Sequence, residues 1–299
     1  MRELVTYPSS SELLRGLRSA VHCAGGAESV AGVSVQGKPI VRFDLGRHDG
    51  PRVMLTSLMH GVEVIGAWAL LDVVRRLTAH PLGQRLLEVA HLTILPIVNP
   101  DALEVNLGRI GRGQRAWQRC NANGVDLNRN FPQVTRERLL HPFSGSRFRF
   151  SPHYIGPSAL SEPESRAVHE VALEKPPQLS LAFHSFGNLL LYPWAHTARP
   201  NPRAKQYRAL GATLNGALAR FPYRVLQARQ LYSVLGDMDD WMDSELGTLA
   251  FTVEVSRPQF SLQNLGRLLN PFHWMNPERR EEVVEDLSPG VLALMSAAV

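Results

Sequence analysis

The 299-residue chain is predicted to form a single-domain α/β protein, in which helices cover both faces of a mixed, mostly parallel β-sheet. Short apolar runs typical of strands alternate with longer segments of helical periodicity, which favours this class. No repeat, low-complexity tract or long linker divides residues 1–299 into separate domains. In open α/β sheets, ligands bind beyond the carboxyl ends of the strands. We therefore look for the functional site where polar residues follow strands.

Four of the five predicted strands lead directly into a polar residue. The strands are short apolar runs bounded by turn residues, and they cover residues 53–59, 91–98, 179–183, 189–192 and 249–253. The polar residues that follow are His60, Asn99, His184 and Glu254. Their positions after strands make them candidates for one site at the carboxyl edge of the sheet.

Helices are predicted between these strands from length and apolar spacing. They cover residues 62–77, 202–220 and 278–287. Another helix is predicted to begin at residues 161–164, where Ser161 can cap, Pro163 is tolerated in the first turn, and Glu164 occupies the capping-box position. Residues 1–36 are expected to supply the first helix and strand of the domain rather than an activation segment.

Composition favours an ordinary globular protein of the cytoplasm. The chain is 44% hydrophobic and 20% charged, and no apolar run approaches the roughly 20 residues of a membrane span. We expect no signal peptide. We also expect no disulfide framework, since the only cysteines are Cys23 and Cys120. The net charge is +5. We interpret the arginine-rich stretch between residues 109 and 149 as a solvated basic face with one or two site arginines, rather than as a nucleic-acid surface.

His60 and Glu63 are predicted metal ligands. Two residues three apart at a helix start lie on one face, although this short motif is weak evidence alone. Zinc in hydrolases often takes two histidines and one glutamate and keeps one position open for water. His184 is the best second histidine because it ends a buried strand, and His196, in a Pro-rich loop, is the alternative. We predict one zinc ion per chain.

Together these motifs resemble those of the M14 zinc carboxypeptidases, the family of carboxypeptidases A and B. The resemblance extends from about residue 37 to about residue 257, and its landmarks stand in family order. They occupy residues 60–63, 99–101, 124–131, 154–157, 161–164, 184–186, 191–194 and 251–254. The resemblance implies the same α/β fold, a zinc cofactor and the zinc ligands His60, Glu63 and His184.

The resemblance also implies catalytic roles. Glu254 would take a proton from water and pass it to the leaving amine. Arg119 would stabilise the developing oxyanion. Two departures from the family pattern bear on this. The chain has Gln118 between Trp117 and Arg119, where many members have Trp-Arg, and Gly61-Val62 replaces the arginine that pancreatic members carry between the first two ligands.

Five further residues are implied in substrate binding. Asn128 and Arg129 would hold the terminal carboxylate, and Ser185 would contact the substrate beside His184. Tyr232 stands where the family has a mobile tyrosine that closes over the substrate. Asp239 stands at the base of the pocket for the terminal side chain, where an acid accompanies a preference for Lys or Arg. Alternatively, Asp239 and its neighbour lie on a solvated loop or cap a helix.

The predicted function is hydrolysis of the C-terminal peptide bond by a zinc metallocarboxypeptidase, with a possible preference for basic terminal residues. The first alternative is a murein peptide amidase that cuts the γ-D-glutamyl–diaminopimelate bond, because residues 121–132 resemble those enzymes. The others are an N-acyl amino acid deacylase and a binding module without catalysis. The expected partner is a peptide or a peptidoglycan-derived peptide. We expect no nucleic acid or membrane partner, and the sequence leaves the oligomeric state open.

Overall fold

The computed structural model describes residues 7, 9–135, 144–258 and 268–299, which include a mixed eight-stranded sheet. The strands are β1 Ala27–Val33, β2 Pro39–Gly46, β3 Arg52–Ser57, β4 His91–Leu95, β5 Leu179–His184, β6 Leu189–Tyr192, β7 Arg224–Gln227 and β8 Leu249–Glu254. Their spatial order is β1-β2-β4-β3-β5-β8-β6-β7. The central strands β4, β3, β5 and β8 are mutually parallel, whereas β2 and β6 run antiparallel to them. The predicted fold class is confirmed.

The helices connect the strands and bring the chain back across the sheet. They are α1 Ser10–Cys23, α2 Val64–Ala79, α3 Pro81–Val89, α4 Pro100–Gly111, α5 Pro163–Glu174, α6 Ala204–Gly216, α7 Met238–Leu246, α8 Phe272–Met275 and α9 Arg280–Ala298. Two short 3₁₀ turns span Leu127–Arg129 and Ala228–Gln230. Across the described ranges, no helix combines the length and apolar character that a bilayer crossing requires.

Alternating strand residues build a core on each face of the sheet. In β3, Val53 and Leu55 belong to one core and Met54 to the other, as the two-residue period of a strand requires. The first core includes buried side chains of α1, α2, α3, α6 and α9, and the second includes those of α5 and α7. The central strands are therefore buried on both faces, as parallel strands generally are.

The carboxyl ends of the central strands meet at one edge of the sheet. His184 at the end of β5 pairs directly with Glu254 at the end of β8. His60 lies in the turn between β3 and α2. Asn99 supports that turn, because its backbone N–H donates to Leu58 O at 2.9 Å and its amide donates to Met59 O at 3.3 Å. The polar residues predicted to follow strands thus converge, as expected.

Two local predictions were wrong. His60 precedes α2, and Glu63 is its N-cap with φ −94° and ψ 58°, so a turn rather than a helical face brings this pair together. Ser161 does not cap α5. The N-cap is Glu162, and Ser161 Oγ donates to its carboxylate at 2.7 Å. Glu164 accepts from Val35 N at 3.0 Å instead of closing a capping box, because tertiary contacts satisfy this buried carboxylate.

The last helix is longer than predicted. The prediction stopped at Leu287, but α9 continues to Ala298 through Pro289. A Cβ on Gly290 would lie 2.7 Å from the Leu218 side chain and 2.8 Å from Leu214 O, so α9 passes very close to the end of α6. Burial of the α9 side chains in the core offsets the cost of a proline within a helix.

Candidate metal centre and active site

His60, Glu63 and His184 form a compact buried group at the carboxyl edge of the sheet. Their ligand atoms all lie within 4.8 Å of one another, and within the described ranges they are the only such group. His60 Nδ1 lies 3.0 Å from Glu63 Oε1, and His184 Nδ1 lies 2.8 Å from Glu63 Oε2. The alternative ligand His196 lies elsewhere, with its Nδ1 2.5 Å from Asp240 Oδ2. The structure thus brings together the three residues predicted to bind zinc.

The turn that carries His60 and Glu63 packs tightly against α4. A Cβ on Gly61 would lie 2.4 Å from the Ala102 Cβ, so only glycine fits there without a shift of the backbone. Gly61 N also donates to Arg119 O at 3.3 Å. The glycine noted as a departure from pancreatic members therefore has a packing reason in this chain.

Asp126 supports the metal group from behind, and sequence reasoning missed it. Its Oδ1 lies 2.9 Å from His60 Nε2. An ionised carboxylate can only accept, so Nε2 carries the proton and Nδ1 presents its lone pair to the group. Burial would raise the pKa of Asp126, but Arg119, Arg129 and His60 hold that pKa well below its ordinary value. The sequence feature that could have indicated this role is the position of Asp126, a carboxylate two residues before the predicted substrate-binding residue Asn128.

These residues suit a zinc ion. Two imidazole nitrogens and one carboxylate are a donor set typical of zinc hydrolases. Burial would raise the pKa of Glu63, but the facing His60 and His184 outweigh burial and hold that pKa below its ordinary value. Glu63 is therefore an anion inside the protein, which a bound cation would stabilise. The hydrogen bond to Asp126 orients His60 as metal-binding histidines generally are oriented.

Arg119 lies beside the metal group. Its Nη1 is 3.3 Å from Glu63 Oε1, and its Nε is 3.1 Å from Asp126 Oδ2. Burial opposes ionisation, but the two carboxylates raise the pKa of Arg119 above its ordinary value. Asp126 also accepts from Asn128 N at 3.1 Å, and His153, which sequence reasoning missed, lies with its Nδ1 3.3 Å from Asp126 Oδ2. The residue predicted to stabilise the oxyanion is therefore charged and held next to the metal ligands.

Glu254 and Ser185 carry polar atoms without partners at this edge. In the part of the chain that the structure describes, Glu254 Oε2 and Ser185 Oγ are buried and make no hydrogen bond. Burial, and then the charge of Glu63, raise the pKa of Glu254 to about 7. A carboxylate with a free oxygen and a pKa near neutrality can both accept and release a proton.

The predicted carboxylate clamp lies in the 3₁₀ turn Leu127–Arg129. Asn128 Oδ1 accepts from Met238 N at 3.1 Å, which leaves the amide nitrogen of Asn128 as the donor for a ligand. Arg129 is only 3% exposed, and its Nη1 donates to Asn128 O at 2.7 Å. Its guanidinium carbon lies 5.9 Å from the centroid of the Tyr232 ring. Burial raises the pKa of Tyr232, so the phenol stays protonated.

Asp239 makes different contacts from the neighbouring acids Asp237 and Asp240. Asp237 is the N-cap of α7, and Asp240 accepts from Ala195 N at 2.9 Å. Asp239 Oδ2 accepts from Thr252 Oγ1 at 2.5 Å, whereas its buried Oδ1 has no partner within the described ranges. Thr252 and Glu254 are two residues apart in β8 and so point to the same face of the sheet. Burial raises the pKa of Asp239 to about 6.

Comparisons with known proteins agree with this geometry. A family model described as zinc carboxypeptidase matches residues 27–278. Carboxypeptidase B of Helicoverpa zea is 25% identical over 287 residues, which cover 88% of this chain and 63% of that relative. The chain thus spans less than two thirds of that relative's length.

Two solved structures show the same fold. Carboxypeptidase A from Helicoverpa armigera gives a TM-score of 0.77 at 24% identity and covers 99% of this chain and 75% of that chain. The murein-tripeptide amidase of Escherichia coli O157 gives a TM-score of 0.56 at 18% identity, with 90% and 92% covered. Zinc, the predicted metal, is the metal in the family description. Because the family model matches most of its length, this chain belongs to the zinc carboxypeptidase family.

Proposed function

We propose that the protein is a zinc-dependent carboxypeptidase that hydrolyses the last peptide bond of its substrate and prefers a basic terminal residue. The observation that carries this proposal is the environment of Glu254. Its carboxylate has a free buried oxygen, stands opposite the metal ligand His184, and is close enough to Arg119 and Arg129 for both charges to lower its pKa. A proton acceptor, a metal group and two cations for substrate oxygens therefore lie close together at the carboxyl edge of the sheet.

Each of these side chains has a role in peptide hydrolysis. Zinc bound by the three ligands would supply a polarised carbonyl and an acidified water. Arg129 and the amide nitrogen of Asn128 hold the terminal carboxylate. Glu254 in its ionised form takes the proton of the attacking water and returns it to the leaving amine. Arg119 donates to the carbonyl oxygen as that oxygen gains negative charge.

Asp239 supplies the proposed specificity. Its Oδ1, which has no partner among the described residues, would accept from a terminal Lys or Arg side chain, whereas an apolar side chain would leave this buried oxygen unpaired. With a pKa of about 6, Asp239 is mostly ionised at neutral pH. The same carboxylate would also bind the side-chain amine of diaminopimelate.

A peptide-library digest by the zinc-loaded protein, read by mass spectrometry, tests this function. We expect faster release of terminal Lys or Arg than of Leu or Phe. Asp239→Asn should narrow that ratio about tenfold or more, since losing one partner of a buried charge pair costs at least about 2 kcal/mol. Asp72→Asn, which removes a carboxylate paired with Arg76 on the surface of α2, is the matched control. Faster release of Leu or Phe by wild type, or an unchanged ratio in Asp239→Asn, would contradict the assignment.

A murein peptide amidase is the second candidate. It is favoured by the structural likeness to the Escherichia coli amidase, which this chain covers over 92% of its length, although that likeness concerns the fold alone. If the protein is such an amidase, we propose that it acts in the cytoplasm, where it would take part in the recycling of peptidoglycan. Tripeptides that end in γ-D-glutamyl–diaminopimelate or in α-linked glutamyl-lysine separate the two functions, because an amidase would cut only the first. N-acyl amino acids in the same panel test for a deacylase.

A further inference from the structure

A second pocket lies outside the proposed active site, between the start of α6 and the 3₁₀ turn Ala228–Gln230. We propose that it binds a small oxyanion, a carboxylate or phosphate group, between Arg208 and Arg229. The pocket has a volume of about 420 Å³, within the range of small-molecule sites. None of the predicted active-site residues lines it. This proposal therefore does not depend on the peptidase assignment.

The charge of the pocket is uncompensated. Among the described residues, no acidic side chain lines it, whereas Arg208 and Arg229 both do. Arg208 Nη1 donates to the Tyr192 hydroxyl at 3.3 Å, which leaves the other guanidinium nitrogens available. Arg229 Nε is shielded from solvent and has no hydrogen-bond partner within the described ranges. Guanidinium groups present paired donors that match the oxygens of carboxylates and phosphates.

Two buried acids of the neighbouring helix α7, Asp240 and Asp243, already have partners. Asp240 accepts from the backbone of Ala195 and from His196, and Asp243 accepts from Tyr207 at 2.5 Å and from Arg203. These contacts leave the pocket arginines without an acidic partner from α7. An anion that enters the pocket would pair with the guanidinium groups of Arg208 and Arg229, whose forked donors match its oxygens.

The floor of the pocket is preformed. Gln227 is buried, and its amide nitrogen donates to Trp194 O at 3.1 Å and to Arg199 O at 2.8 Å. Its amide oxygen accepts from Asn201 N at 3.1 Å. The Tyr192 ring stacks on a buried tyrosine of α6 with a centroid separation of 5.0 Å. Little of this wall needs to be ordered when an anion binds, which favours affinity.

Calorimetric titration of the zinc-loaded protein with inorganic phosphate, and separately with acetate, tests the proposal at constant ionic strength. For at least one anion, we expect a saturable site whose occupation does not depend on Arg129. Whether phosphate or acetate binds more tightly distinguishes a phosphate ligand from a carboxylate ligand, and either result supports the proposal. Arg208→Gln and Arg229→Gln should each weaken binding at least about tenfold, because each removes a charge-assisted hydrogen bond. Arg85→Gln, at an exposed position of α3, should bind like wild type.

Arg129→Gln separates this site from the proposed carboxylate clamp and should also retain anion binding. Circular dichroism and thermal unfolding of each variant show whether it is folded. Arg208→Lys, which keeps the charge but loses the fork of donors, should bind between wild type and Arg208→Gln. The proposal is wrong if neither anion binds saturably, if Arg208→Gln and Arg229→Gln bind as wild type does, or if Arg129→Gln abolishes binding.

Discussion

Replacing Asp126 with asparagine tests whether this buried carboxylate tunes the metal group. The side chain keeps its shape but loses the negative charge that faces His60 Nε2 at 2.9 Å and Arg119 Nε at 3.1 Å. Loss of a carboxylate behind a metal-binding histidine typically lowers metal affinity about 10–100-fold, which is about 1.4–2.7 kcal/mol. We expect a zinc affinity reduced within this range, measured by competition with a chromophoric chelator.

The same substitution should lower the stability of the metal-free protein. Breaking a buried ion pair costs on the order of 3–5 kcal/mol, and this is an upper bound here because Arg119 keeps Glu63 as a partner. The pKa of folded Asp126 lies below that of the unfolded chain, so its contribution is present above the ordinary pKa of 3.8 and is lost as pH falls through the folded pKa. The stability difference between wild type and variant, measured by urea unfolding, should therefore shrink as pH falls below about 4.

Asp44→Asn provides a matched control. Asp44 Oδ1 lies 3.3 Å from His91 Nε2 and accepts from Thr93 at 2.7 Å, and none of these three residues belongs to the metal group. This variant should lose stability and bind zinc with an affinity within about twofold of wild type, because Asp44 contacts none of the candidate zinc ligands and so cannot orient them. If Asp126→Asn also keeps wild-type zinc affinity, Asp126 has a structural role only.

Three other variants test the remaining roles. His184→Ala should lose most of its zinc by metal analysis, because it removes one of three protein ligands, and a full equivalent of retained zinc would exclude His184 as a ligand. Glu254→Gln should bind zinc but lose about 10²–10⁴-fold in peptide turnover, and activity within about tenfold of wild type would contradict its role as base. In the metal-free protein, the folded pKa of Glu254, about 7, exceeds the ordinary 4.5, so ionisation destabilises the fold as pH rises through this window. Urea unfolding should then show Glu254→Gln gaining stability over wild type from pH 4 to pH 8, and a constant difference would refute the shift. Arg129→Gln should raise KM for peptides far more than for the same peptides with an amidated C-terminus, and an equal change for both would place Arg129 outside carboxylate binding.

Periodicity in the sequence predicted the parts of the fold that are buried on both faces. The apolar runs of β3, β5 and β8 contrast with their flanking turns because these strands lie at the centre of the sheet. Elements with weaker apolar patterns were not predicted. Helix α7 has acidic residues in its first turn, and its N-cap Asp237 was identified only from the hydrogen bond to Asp240 N.

Some features of the candidate site could likewise be predicted from the sequence, and others could not. The three candidate ligands could be proposed from the sequence, because zinc takes particular donor types and the resemblance to the zinc carboxypeptidases singles out His60, Glu63 and His184. The roles of Asp126 and His153 were not, since a contact between His60 and Asp126 joins residues 66 positions apart. Asp239 and Asp240 are adjacent in the sequence but differ in their hydrogen bonds. Asp240 accepts from the backbone of Ala195, whereas Asp239 Oδ1 has no partner among the described residues. This difference depends on which backbone amides lie next to each carboxylate.

By itself, the sequence predicted the α/β class from its periodicity, and its ordered motifs indicated the family and the three candidate zinc ligands, because such patterns are local properties of the chain. Tertiary structure alone decided the rest. It placed a carboxylate next to His60, left one oxygen of Glu254 and one of Asp239 without partners among the described residues, and brought Arg208 and Arg229 to one pocket. The physical reason is that burial and hydrogen-bond satisfaction depend on residues distant in the chain, and burial raises the pKa of both Glu254 and Asp239.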